Sequence, residues 1–159
     1  MQHRSILRGA HAYLSPAAAL AGLDPEIAAR KPPEAEHSIA EIVAHMAFWQ
    51  DWFLDRCDGK PRPSPAHADI GWPAVTSVRW DVVLQRFTDG FDRALALANS
   101  DERMSQPIAP SLEFDHLKTY TQGDALVHIA LHNAHHLGQV ITLRQQLRAW
   151  PPPAGSWTW

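Results

Sequence analysis

Between Asp124 and Leu147 the chain reads DALVHIALHNAHHLGQVITLRQQL, and this stretch limits the fold more tightly than any other. Wound at 3.6 residues per turn, Ala125, Ile129, His132, His136, Val140, Leu143 and Leu147 fall in one stripe. The stripe is an ordinary core-facing seam except for its two imidazoles, one turn apart, which point at the interior rather than at water. Burying a polar ring costs free energy unless its nitrogens find partners. Two adjacent neutral imidazoles form half of a metal site, with the rest due from another element.

A chain of 159 residues, 45% hydrophobic and 19% charged, carries enough apolar material for a folded core and reads as one domain over residues 1–159. Lys and Arg number 14 against 17 Asp and Glu, so no basic stripe points to nucleic acid. No apolar run reaches membrane-spanning length, and the start of the chain shows no cleavage signal. One cysteine, Cys57, rules out an intramolecular disulfide framework and suits a cytoplasmic location. Trp72, Trp150, Trp157 and Trp159 fall in loop or tail segments, where tail packing is the plain reading and pocket lining the other.

Read in order, the chain predicts four long helices. The first spans about Gln2 to Tyr13, with Ile6, Leu7, Ala10 and Leu14 on one side. Ser15-Pro16 and Asp24-Pro25 then announce short helical turns, each with an N-cap followed by proline. Ser38 and Glu41 match a capping box for the second long helix, which presents Ile39, Ile42, Met46, Trp49 and Phe53 and ends near Arg56. Lys60 to Thr76 is a long proline-rich loop, and loops of that length in compact domains are usually functional. A third helix, about Val78 to Ala98, has Val82, Leu84, Phe87, Phe91, Leu95 and Leu97 as its buried side. Ser100 to Tyr120 is irregular save for one turn at Asp101–Met104, and Thr121 caps the last helix, with Asp124 completing a near capping box. The fold class is all-α: an up-down four-helix bundle with long loops. Leu126, Leu131, Leu137 and Ile141 make the last helix apolar on its other flanks too, which favours a homodimer, although the first and third helices could also cover them.

His45 lies on the flank of the second helix's apolar face, 87 residues before His132, and is the third inward histidine. A three-histidine set leaves coordination positions open and suits zinc, nickel or iron without choosing among them. The plainer alternative is core imidazoles bonded to backbone or water. His128, one turn before His132, reads as a hydrogen-bonding neighbour of the ligands, and Gln139 is placed to hold a ligand ring or a bound water. His135 belongs at the pocket edge or surface, His37 reads as structural, and His3, His11, His67 and His116 as surface residues. Asn133 stands where a zinc protease helix would carry its glutamate base, which excludes that class. Cys57 reads as an ordinary thiol.

HSIAEIVAHMAFWQDWFL, followed much later by HIALHNAHHLGQVITLRQQL and a closing WPPP with a terminal Trp, resembles the DinB-like superfamily of bacterial metal-binding four-helix bundles. The resemblance implies a divalent metal held by His45, His132 and His136, and it matches the Gly138-Gln139 pair after the motif. It also implies a homodimer, and activities of the thiol S-transferase, isomerase or metal-dependent hydrolase kind, some using a low-molecular-weight thiol such as bacillithiol or mycothiol on a small-molecule substrate. Three functions follow, in order of preference: a metal-dependent enzyme, in which Arg56 or Arg62 could recognise an acidic cofactor; a non-catalytic metal-binding or stress-response module; and a structural bundle with satisfied core histidines.

Overall fold

The computed structural model describes residues 2–9, 12–60, 62–73, 80–111, 115 and 118–155. Among them the chain forms seven α-helices, one 3₁₀ turn and no strand. They are α1 (Gln2–Leu7), α2 (Pro16–Leu20), α3 (Pro25–Ala29), α4 (Ile39–Cys57), α5 (Trp80–Leu97), α6 (Asp101–Met104) and α7 (Gln122–Gln146), with the 3₁₀ turn at Ala68–Gly71 before α5. No helix among them is long and apolar enough to cross a membrane.

Helix starts follow local chemistry. The Ser15 and Asp24 side chains accept from backbone N–H groups at the heads of α2 and α3. Both halves of a capping box form at α4, between Ser38 and Glu41, and at α7, between Thr121 and Asp124. The first helix is shorter than the expected Gln2–Tyr13. It ends at Leu7 because Gly9 takes a φ of 97°, a left-handed turn that breaks the helical path. Ala10 and the start of the third helix at Val78 lie outside the described residues.

Long helices α4, α5 and α7 pack around two apolar clusters. One joins the N-terminal half of α4 to Trp80, Val83 and Phe87 of α5 and to Leu137, Val140 and Leu143 of α7. The other joins Trp52, Phe53, Leu54 and Cys57 to Ala94 and Leu97 and to Ala125, Leu126 and Ile129. The pairing shows that α4 and α5 run the same way, with α7 antiparallel to both. Ion pairs agree: Asp51 meets Arg86 at 2.8 Å and, further along both helices, Asp55 meets Arg93 at 2.9 Å. Parallel neighbours need a crossover, and its described part, residues 62–73, carries the 3₁₀ turn.

α4 is sandwiched, with Val43, Ala47, Gln50 and Leu54 buried as well as the predicted face, whereas Trp49 is only partly covered. On α5 the expected burial of Val82 is overturned: Val82 is 47% exposed and its neighbour Val83 is in the core. Leu84, Phe91 and Leu95 are partly covered. Leu126 and Leu137 of α7 are buried within the chain itself, so the flank argument for a second subunit comes down to Leu131, 63% exposed, and the partly covered Ile141.

Two buried arginines fasten the loops. Arg144 donates to the carbonyls of Ala19, Ala21 and Ala149, tying α7 to the end of α2. Arg56 donates to the carbonyls of Arg62, Pro110 and Ser111 and stacks on the Trp52 ring at 4.1 Å. Arg62 pairs with Asp55 at 2.8 Å. Arg56 is thus engaged by loop carbonyls, and Arg62, its side chain 40% exposed, by a carboxylate.

Candidate metal centre

A polar layer separates the two apolar clusters. On one side Asn133 of α7 donates to Gln50 of α4 at 2.9 Å, and Gln50 donates to the Phe87 carbonyl of α5 at 3.0 Å. Gly90 lets the Gln50 amide in, since a Cβ there would lie 2.9 Å from its nitrogen. Asn133 thus faces an amide ladder rather than the neighbouring histidines, in keeping with the exclusion of protease chemistry.

On the other side His45, His132 and His136 converge, one nitrogen of each lying within 4.8 Å of the others. The antiparallel course of α4 and α7 brings His45 level with the i, i+4 pair. His45 is 7% exposed and His136 6%, with His132 half-buried. His45 Nδ1 lies 2.6 Å from the Gly71 carbonyl, which can only accept, so Nδ1 carries the proton and Nε2 is a lone pair. That Nε2 is 3.2 Å from Nε2 of His132. Two nitrogens bonded at about 2.0–2.1 Å to one tetrahedral ion lie about 3.3 Å apart, so the spacing fits two ligands of a common cation. His136 Nδ1 donates to Gln139 Oε1 at 2.7 Å, which leaves its Nε2 as the free nitrogen.

Burial pushes His45 down to about 4, against the Gly71 bond that favours its charged form, with His136 and His37 adding to the depression. Burial, then His136 and His45, push His132 down to about 3, and burial lowers His136 as well. All three rings are neutral near pH 7, as metal ligands must be. Because each folded pKa lies below its unfolded value of about 6.5, the unfolded chain binds more protons between the two. The histidines' contribution is therefore complete above about pH 6.5 and is lost as pH falls through the folded values. Chelated protein should melt lower at about pH 4.5 than at about pH 7, and the gap should narrow in His132→Asn; an equal gap in both would contradict this.

Residues beyond the three histidines sort by contact. Gln139 holds His136, as its position suggested. His128 does not join the cluster; its ring packs 4.4 Å from Phe53 and its Nδ1 lies 3.4 Å from the Tyr120 hydroxyl. His37 and Trp72 lie closer to the cluster than their sequence positions imply. Trp72 stacks on His45 at 3.8 Å, and His37 stacks on the far face of Trp72 at 3.7 Å. A loop tryptophan was the available signal, but helical periodicity cannot say where a loop lands. Behind His136 an open groove of about 440 Å³ is lined by Glu36, His37, Ile42, His135, Gln139 and Thr142. His3 is half-buried near Gly123, His67 is exposed, and His11, His116, Trp157 and Trp159 lie outside the described residues.

Cys57 is 5% exposed, and burial pushes its thiol up to about 12. It stays a thiol near neutrality, so a disulfide reagent such as Ellman's should label the native protein only after unfolding. Rapid native labelling would contradict that placement.

No curated protein matches the chain. The DinB superfamily model matches residues 12–140, which span α2 to most of α7 and contain all three histidines. The chain belongs to the DinB superfamily.

Proposed function

We propose that His45, His132 and His136 bind one divalent cation and that the protein is a metal-dependent enzyme of the thiol S-transferase or hydrolase kind. The observation that carries this reading is the approach of His45 Nε2 to His132 Nε2 at 3.2 Å, across 87 residues of chain. The donor set fits such an ion: three neutral imidazoles, two with the remaining nitrogen held by an acceptor. Bound there, the ion would hold a small thiol or water as thiolate or hydroxide beside an electrophile. The chain's own part is to aim two rings from α7 and one from α4, to keep them unprotonated, and to leave the half-buried edge of His132 for incoming ligands.

A second reading, a non-catalytic metal-binding module, has one observation in its favour. Among the described residues no carboxylate hydrogen-bonds to the three histidines.

Protein purified without chelator should carry about one equivalent of zinc, nickel or iron per chain. Loaded protein should then consume low-molecular-weight thiols with electrophilic substrates. Metal without turnover across such a panel would favour the binding module. Absence of metal, with melting unchanged by zinc or nickel, would overturn both readings.

A further inference from the structure

We propose that the crossover loop is a working part of this centre: Gly71 and Trp72 are positioning residues that fix His45 as its Nδ1–H tautomer and aim Nε2 at His132, with His37 bracing Trp72 from behind. The consequence for metal rests on the metal-centre reading above, whereas the tautomer is a property of the chain alone.

Three observations converge. First, α4 and α5 run parallel, and the described part of the connection between them brings the 3₁₀ turn to the level of His45. Its start is pinned to α4 by the Trp52 indole, which donates to the Pro63 carbonyl at 3.0 Å, and by Arg56, which donates to the Arg62 carbonyl at 2.6 Å. Second, the 3₁₀ turn ends with the Gly71 carbonyl against His45 Nδ1 at 2.6 Å, in a site too buried for water to substitute freely. The fit around Gly71 is close: a Cβ would lie 3.0 Å from the Trp49 indole nitrogen, so a side chain there would require the indole to give way. Third, the next residue lays its indole over the same imidazole, 11° from parallel, and His37 continues the stack at 8°. The three stacked rings come from the approach to α4, from α4 itself and from the crossover. A face-on aromatic wall stops the His45 ring from rotating, and the carbonyl then decides which nitrogen keeps the proton. Simple space-filling by Trp72 would need neither the parallel stack nor the carbonyl beside it.

The test is ¹⁵N NMR of histidine rings in metal-free protein, followed by Zn²⁺ and Co²⁺ titration of the same samples. In the parent protein His45 should show a protonated Nδ1 and a bare Nε2. Trp72→Ala should mix the tautomers and weaken Zn²⁺ binding about 10–100-fold, with an altered Co²⁺ absorption spectrum. Trp72→Phe, which keeps a flat ring, should restore both, and His37→Ala should give a smaller loss in the same direction. Parent-like tautomer and affinity in Trp72→Ala with unchanged circular dichroism would overturn the proposal, as would a Trp72→Phe no better than alanine. If Trp72→Ala does not fold, the phenylalanine and His37 variants decide. If the parent binds neither ion, the metal-centre reading fails, and the NMR result still decides the role of the loop.

Discussion

His45→Ala should strip the protein of its metal while leaving the helices intact. The loss of affinity should exceed about 100-fold, the upper end of what losing a ligand's supporting residue costs, because a direct ligand is removed. Circular dichroism should stay parent-like, since α4 is held by apolar contacts on both sides. The result matters because His45 is the one member of the cluster outside α7. Metal retained at parent stoichiometry would mean that the ion sits on α7 alone, and the two-helix centre would be wrong.

Arg56→Ala should lower the unfolding free energy by about 3–5 kcal/mol, a large share of the 5–15 kcal/mol that typical domains possess. The carbonyls of Arg62, Pro110 and Ser111 would lose a charged donor together, and Trp52 would lose the cation on its face. Arg56→Lys should recover less than half, because an ammonium lacks the flat fork that serves several carbonyls and stacks on indole. Denaturant unfolding measures both. A change below about 1 kcal/mol in the alanine variant would show that water replaces the guanidinium at little cost. The same variant frees the start of the crossover, so it should also weaken the metal centre more than its distance suggests.

Most of the bundle was legible because its signals are local. Capping boxes at Ser38 and Thr121 mark helix starts through contacts three residues apart, and the stripe through Ile129, His132, His136 and Val140 marks a buried face by period alone. Those two facts, with His45 on the flank of another apolar face, sufficed to bring the three histidines together. Period failed where the choice depended on a neighbour. Val82 and Val83 differ by one step round α5, and only the position of α4 decides which is buried. The break at Gly9 is not legible because a glycine near a helix end does not announce its φ. Least legible was the part played by Gly71, Trp72 and His37. The contacts of Gly71 and Trp72 to His45 span 26 residues in the case of the Gly71 carbonyl and follow from the parallel run of α4 and α5, which no local pattern encodes, and His37 joins only through Trp72. Gln139 is legible because it lies one turn from His136, whereas His128, also one turn from a cluster histidine, turns to Phe53 and Tyr120 instead.

Anomalous diffraction at the absorption edge of the bound metal tests the central claim most directly. Metal-loaded crystals should show one strong peak about 2.0–2.2 Å from the Nε2 atoms of His45, His132 and His136 together. A peak on surface histidines instead, or no peak between α4 and α7 at full metal loading, would contradict it.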